Sequence, residues 1–201
     1  MKLGIKEYKL IALDEESKIP ETLKFHMICS RNDEKLYALL VLLNNIIRKD
    51  ELTLLFTPTK FHCEYLYEFL KLFEIQSIYI HGNMDQDLRT MNIDKFRRRK
   101  VKILIVTDLA ARGLDIPLLD NVINFNFPDR PKLFIHRVGR TGRAGRDGRV
   151  FSIVSAEDIP YFYDLKVILG REIYFKCENK EQLKKSRENP KIVYINNIKI
   201  T

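Results

Sequence analysis

The chain has 201 residues, 45% of them hydrophobic, which allows one domain with a real core and excludes a wholly disordered protein. Lysine and arginine number 35 against 27 acidic residues, giving a net charge of +8. That excess indicates either a polyanionic partner such as nucleic acid or simply a soluble basic protein, and charge alone favours neither.

Apolar runs of strand length alternate with longer stretches of helical period, a pattern that predicts an α/β fold with a central, mainly parallel sheet. The predicted strands cover 25–29, 53–56, 77–80, 102–107, 121–124 and 150–154, and the predicted helices cover 32–48, 60–73, 86–99, 131–138 and 157–169. The run at 101–106 is almost wholly β-branched or leucine, which suits a strand buried on both faces. We therefore expect a ligand surface at the carboxyl ends of the strands, where Thr107 and Asp108 follow the strand at 102–107.

The composition changes toward the end of the chain. Beyond Arg171 apolar residues become rarer, charges cluster, and a β-like stretch follows at 192–195. We predict a domain at 25–170, an interdomain or N-terminal extension at 1–24, and a C-terminal extension at 171–201 that packs loosely or leads toward a further segment.

Cysteine usage and hydropathy argue against two further classes of protein. The three cysteines lie far apart without a Cys-x-x-Cys pair, which argues against a disulfide framework or a structural zinc site and favours a reducing, intracellular compartment. The longest uncharged run, at 36–47, has 12 residues, whereas a membrane span needs about 20. Charged residues near the N-terminus argue against a signal peptide.

A segment rich in glycine and arginine, at 136–149, carries the strongest chemical signal. Glycines permit a tight turn, and arginines held on such a turn can direct a planar, permanently charged fork at phosphate oxygens. An arginine that stabilises the charge of a transferring phosphoryl group contributes about 10³–10⁵ in rate. On composition alone, the segment is as well explained by a flexible basic loop. Arg149, just before the strand at 150–154, is expected in solvent.

Four segments of this sequence resemble the motifs of DEAD-box RNA helicases. They are HRVGRTGR at 136–143 (motif VI), LIVTDLAARGLDIP at 104–117 (motif V), His81-Gly82 with Gln86 and Arg89 (the HGxxxQxxR element), and LLFTPT at 54–59 (motif IV). The motifs occur in family order, and the similarity extends over about 25–170. The resemblance implies a RecA-like, P-loop NTPase-type three-layer sandwich that forms the C-terminal half of an ATP-dependent RNA helicase.

The resemblance also implies residue roles for the nucleotide. Arg140 and Arg143 would reach the γ-phosphate of ATP, and His136 would link the ATP-binding and RNA-binding elements. Asp115 would contact the ribose, although it is also explained as a turn residue. The remaining two ATP-binding positions are Gly113, where the backbone approaches the nucleotide, and Arg112, which would pair with acidic residues of the partner domain.

Four further positions would hold the RNA phosphate backbone without reading bases. They are Thr59, Gly82, Arg89 and Thr107. Thr59 is equally well explained as the N-cap of the helix at 60–73, and His81 as a core histidine rather than a metal ligand. The basic run at 97–100 is better explained by a helix C-terminus in solvent than by RNA contact. No metal site is predicted in this chain.

The motifs that grip ATP are missing from the sequence. It contains no G-x-x-x-x-G-K-[ST] phosphate loop, no D-E-A-D and no S-A-T. We therefore expect the chain to begin within the interdomain region of a longer helicase. The cofactors would be ATP and Mg²⁺, with Mg²⁺ held by an N-terminal RecA-like domain, and the chain alone would be inactive. A stand-alone RNA- or protein-binding module and half of a DNA helicase remain as alternatives.

Within the family, the segment at 108–124 resembles the nucleolar helicases of large ribosomal subunit assembly, and the segments at 11–18 and 158–165 agree. This resemblance implies a nuclear or nucleolar protein that acts in ribosome biogenesis. Its implied partners are RNA, ATP and the N-terminal RecA-like domain of the same protein, without a membrane.

Overall fold

The computed structural model describes residue 19, residues 22–142 and 145–169, and the backbone of two later strands, Ile173–Lys176 and Tyr194–Ile200. The strands form one sheet in the order β3-β4-β2-β5-β6-β1-β8-β7. They are β1 (Leu23–Cys29), β2 (Thr53–Thr57), β3 (Ser77–Ile80), β4 (Ile103–Thr107), β5 (Asn121–Asn124), β6 (Gly148–Val154), β7 (Ile173–Lys176) and β8 (Tyr194–Ile200). The helices are α1 (Lys35–Asn45), α2 (Lys60–Leu72), α3 (Gln86–Arg97), α4 (Asp108–Ala111), α5 (Pro131–Val138) and α6 (Ile159–Leu169).

Strands β1 to β6 pair in parallel, and helices cover both faces of this part of the sheet. Every residue of β2 and β4 is buried, as a central strand of leucine and β-branched residues requires. One core contains Phe96 of α3 and Phe134 of α5, and the other contains Leu39 of α1 and Leu66 of α2. The predicted α/β fold with a central, mainly parallel sheet is confirmed.

Several element boundaries differ from the prediction. The helix predicted at 32–48 begins as a 3₁₀ turn, Asn32–Glu34, and the α-helix ends at Asn45. Helix α4 was not predicted, because four residues are too few to show a helical period. β8 pairs antiparallel with β1, so these later strands continue the sheet. The division at 25–170 stays a prediction, because residues 1–18 and most of 171–201 lie outside the described residues.

The prediction for Arg149 was wrong. Because β6 already begins at Gly148, Arg149 lies within the sheet, where its guanidinium pairs with the buried Glu51 carboxylate and donates to Asn121 Oδ1 at 3.0 Å. It also lies over the Phe151 ring, 5.5 Å from its centroid. Arg149 therefore belongs to the structure at the amino ends of the strands.

Candidate functional site

Three predicted RNA-binding residues lie at one edge of the sheet. Thr59 follows β2, Gly82 follows β3, and Thr107 ends β4. Because β2 and β3 both pair in parallel with β4, their carboxyl ends meet at this edge. The arrangement is the one in which open α/β sheets bind ligands.

Both threonines also cap helices. Thr59 Oγ1 accepts from the backbone N–H of His62 at 3.3 Å, so the predicted N-cap of α2 is confirmed. Thr107 Oγ1 accepts from the N–H of Ala110 at 3.4 Å and begins α4. The Thr59 side chain is exposed while Thr107 is buried, so of the two hydroxyls only that of Thr59 faces solvent.

The groups behind this edge are not reactive centres. Burial raises the pKa of the Cys63 thiol to about 11, so it stays protonated at neutral pH and is no nucleophile. His81 is buried, as expected of a core histidine, and its Nε2 lies 3.1 Å from Glu64 Oε1, but its buried Nδ1 has no hydrogen-bond partner among the described residues. The described residues contain no group of three side chains suited to a metal ion.

Arg89 lies on α3, beside this edge. Its guanidinium donates to the carbonyl of Ala110 at 3.0 Å and so connects α3 to α4. Gly82 is exposed, and a Cβ added there would lie 3.4 Å from the Leu109 side chain, an ordinary contact. The protein itself therefore does not require glycine at position 82, whereas close approach of a ligand backbone would.

A cleft of about 210 Å³ lies between α4 and α5. The cleft brings together three predicted site residues, Arg112, His136 and Arg140. Arg137 and Asp108 also line it, so the described lining carries three guanidinium groups against one carboxylate. Such an excess of rigid cationic donors is suited to phosphate oxygens.

Arg137 is the arginine of the cleft wall to which the sequence analysis gave no role. It is 3% exposed, and its Nε and Nη2 donate to the two carboxylate oxygens of Asp108 at 2.6 and 2.7 Å. Its Nη1 donates to Asn124 Oδ1 and to the carbonyl of Asn126, both at 3.0 Å, and its guanidinium lies 5.0 Å from the Phe56 centroid. The ion pair joins α4, which precedes Arg112, to α5, which carries His136.

One comparison decides the family. The family described as helicase conserved C-terminal domain matches residues 34–145, more than half of the chain. The chain belongs to this family. It is a helicase C-terminal domain, and its similarity to DEAD-box RNA helicases assigns it to the DEAD-box group.

Two curated relatives and one solved structure illustrate the similarity. The putative DEAD-box ATP-dependent RNA helicase 29 of Arabidopsis thaliana is 47% identical over 93% of this chain and 22% of its own length. The ATP-dependent RNA helicase DDX54 of Mus musculus is 48% identical over 85% of this chain and 20% of its own length. Saccharomyces cerevisiae Dbp5 bound to RNA and ADP BeF3 superposes with a TM-score of 0.67 at 29% identity, covering 77% of this chain and 41% of that one. The chain thus spans about a fifth of the length of these curated relatives.

Two of the three described glycines in the left-handed region form the turns that follow α4 and α5. Gly113, after α4, has φ +68°, and Gly142, after α5, has φ +69°. A Cβ at Gly142 would also collide with the Leu23 side chain. Thr141 Oγ1 donates to the carbonyl of Leu119 at 2.6 Å and so joins the turn at Gly142 to the segment just before β5. Arg143, the second predicted arginine finger, lies outside the described residues.

Asp115 does not line the cleft of the helicase domain. Its side chain is 91% exposed, and Oδ2 accepts from Arg97 Nη2 at 2.7 Å. Arg97 is the first residue of the basic run that was predicted to face solvent at a helix end. The structure confirms the helix end, since α3 ends at Arg97, but it directs the guanidinium to Asp115.

Proposed function

We propose that this chain is the C-terminal half of an ATP-dependent RNA helicase. The observation that carries the proposal is the cationic cleft beside the carboxyl edge of the sheet, in a chain of the DEAD-box group. In a closed enzyme, this half would face an N-terminal RecA-like domain across bound ATP, while RNA lies along the edge formed by Thr59, Gly82 and Thr107. Closure of the two domains would couple ATP hydrolysis to remodelling of the RNA duplex.

The cleft fits a polyphosphate substrate but not the accompanying metal ion. Arg112 and Arg140 offer donors for phosphate oxygens or for acidic groups of the facing domain. Asp108, the carboxylate in the described lining, is committed to Arg137, so it is not available to Mg²⁺. We therefore assign Mg²⁺ to the N-terminal domain, together with the phosphate loop.

Each nucleotide-side residue has a distinct role in this proposal. Arg140 and Arg143 donate to the γ-phosphoryl oxygens, where charge accumulates during transfer. His136, exposed on the last turn of α5, links the nucleotide and RNA elements. Gly113 lets the backbone approach the nucleotide, and Asp115 accepts from a ribose hydroxyl.

The RNA contacts in this proposal are made to the sugar–phosphate backbone. Thr59 contributes a hydroxyl, Gly82 contributes a backbone donor, and Arg89 contributes a guanidinium. Thr107 is the fourth RNA-binding position of the proposal, at the same edge, although its hydroxyl is buried as the cap of α4. Phosphate contacts set the position of the strand without reading sequence, as expected of an enzyme that acts on many duplexes.

The same proposal places the full-length protein in large ribosomal subunit assembly, in the nucleolus. Its support is the resemblance of the segment at 108–124 to that branch, together with 47–48% identity to the Arabidopsis and mouse helicases. Association of the full-length protein with precursors of the large-subunit RNA, measured by crosslinking in cells, tests this assignment. Crosslinks confined to other RNA classes contradict it.

The split-site proposal predicts no ATP hydrolysis by this chain alone. The sequence lacks a phosphate loop, so nothing in it grips the nucleotide for in-line attack. We expect the purified 201-residue chain to show no RNA-stimulated phosphate release, whereas the full-length protein releases phosphate and separates short RNA duplexes. Turnover that scales with the concentration of the 201-residue chain would contradict the proposal. An inactive full-length protein that still binds RNA would favour a binding module.

Changing Arg89 to Ala is expected to weaken RNA binding by about tenfold or more, since a hydrogen bond to a charged group contributes about 1.5–3 kcal/mol. The loss of affinity should be equal for all RNA sequences. The slope of log affinity against log salt concentration should fall by about the contribution of one phosphate contact. Fluorescence anisotropy with unrelated single strands measures both. Arg98→Ala is the matched control, because Arg98 lies at the end of the same helix and pairs with Asp94. A loss confined to one sequence would indicate base readout instead.

A further inference from the structure

Arg97 makes three contacts with a single residue. Its Nε and Nη2 donate to the backbone carbonyl of Asp115 at 2.8 and 2.6 Å, and Nη2 also donates to Asp115 Oδ2 at 2.7 Å. One planar guanidinium therefore engages the main chain and the side chain of Asp115 together. Such a contact constrains both the backbone position and the rotamer of the carboxylate.

A second arginine of the same helix holds the other end of the same segment. Arg89, in the first turns of α3, donates to the carbonyl of Ala110. Arg97 lies eight residues later, about 12 Å along the helix at a rise of 1.5 Å per residue. The two arginines thus bracket residues 110–115, the segment that contains Arg112 and the left-handed Gly113.

We propose that Arg97 is a positioning residue that couples RNA contact by α3 to nucleotide contact by Asp115. The inference rests on the proposed function, in which Arg89 binds RNA and Asp115 binds the ribose. When RNA fixes α3 through Arg89, Arg97 holds Asp115 in the place where the ribose hydroxyl meets it. A carboxylate has two oxygens, and Arg97 engages Oδ2, so a hydroxyl can donate to Oδ1 without displacing the arginine.

The competing explanation is an ordinary surface ion pair at a helix end. Arg97 and Asp115 side chains are 42% and 91% exposed, and pairs so exposed contribute little to stability. Arg98 in the same run illustrates such a pair, because it binds Asp94 within its own helix at 3.1 Å. Arg97 differs from Arg98 because it reaches out of its helix to a backbone carbonyl and a carboxylate 18 residues away.

The test uses the full-length helicase and the affinity of a nonhydrolysable ATP analogue, measured with and without saturating RNA. Coupling between sites is reciprocal and commonly amounts to about 5–150-fold in affinity. We expect Arg97→Ala to reduce the RNA-dependent gain in analogue affinity by about fivefold or more, while Arg98→Ala leaves it within about twofold. RNA-stimulated hydrolysis should show a raised KM for ATP with a smaller change in kcat.

A double-variant comparison separates positioning from direct contact. If Arg97 acts through Asp115, the variant with both Arg97→Ala and Asp115→Ala should have the same ATP KM as Asp115→Ala alone. Additive effects of the two changes on the ATP KM would overturn the coupling role. So would an Arg97→Ala variant with the same RNA-dependent gain in analogue affinity as Arg98→Ala, provided that the wild type is active; neither result touches the proposed function. A wild-type protein without RNA-stimulated hydrolysis would overturn the proposed function, and the coupling role with it.

Discussion

Changing Arg140 to Lys in the full-length protein is expected to lower kcat for RNA-stimulated ATP hydrolysis by about 10³-fold or more. That factor corresponds to at least about 4 kcal/mol of lost transition-state stabilisation. A lysine keeps the charge but offers a compact point charge instead of a planar fork, so it cannot make two parallel hydrogen bonds to the phosphoryl group. Because the other domain holds most of the nucleotide in our proposal, KM should change little.

The matched control is Arg146→Lys. Arg146 lies in the same segment rich in glycine and arginine, and its side chain is exposed. We expect near-normal rates from this variant in a steady-state assay with saturating RNA, and unchanged circular dichroism from both variants. Wild-type activity in the Arg140 variant would mean that the segment is structural.

Changing Arg137 to Ala is expected to destabilise the domain by about 3–5 kcal/mol, because it leaves the Asp108 carboxylate of a largely buried pair without its partner. Asn124 Oδ1 and the Asn126 carbonyl lose a donor at the same time. For a chain of this size, about 2–4 °C in Tm accompanies each kcal/mol, so we expect a fall of roughly 10 °C. Thermal unfolding followed by circular dichroism measures it.

Arg130→Ala is the control for this loss, because Arg130 is exposed at the start of α5 and its side chain does not cap the helix. We expect less than about 0.5 kcal/mol from this change, as for surface substitutions in general. If Arg137→Ala lost no more stability than this control, the structural role of the Arg137–Asp108 pair would be contradicted.

The strands and the edge of the site could be predicted because both depend on local sequence. The run at 101–106 is β-branched or leucine at every position except Lys102, which is typical of a strand buried on both faces, as β4 is. The carboxyl ends of parallel strands meet at one edge of the sheet, so residues that directly follow strands, such as Thr59 and Gly82, are expected at that edge. Thr59 shows that two interpretations of one residue are compatible, since it caps α2 and stays exposed at the edge.

The structural environment of each individual arginine could not be predicted from the sequence. From position 137 to position 149 an arginine recurs at every third residue. The structure places Arg137 in a buried ion pair, Arg140 in the cleft, Arg146 in solvent and Arg149 in the sheet. Helix α5 ends at Val138 and β6 begins at Gly148, so the spacing of three has no common structural meaning.

The carboxylates that pair with arginines in this fold are also distant from them in sequence. Asp108 lies 29 residues from Arg137, Glu51 lies 98 residues from Arg149, and Asp115 lies 18 residues from Arg97. Only the packed sheet brings them together, and a local pattern contains no information about which carboxylate meets which guanidinium. The rule that a buried arginine needs a carboxylate predicts a partner but does not choose it.

The central claim is that this chain directs arginines at a nucleotide that another domain holds. A structure of the full-length protein with RNA and ADP–BeF₃, in which the beryllium fluoride stands in for the γ-phosphoryl group, tests it most directly. We predict a guanidinium nitrogen of Arg140 within about 2.7–3.2 Å of a fluoride, and RNA phosphates along the edge at Thr59 and Gly82. A closed complex in which Arg140 points away from the nucleotide, or RNA binds elsewhere, would contradict the account.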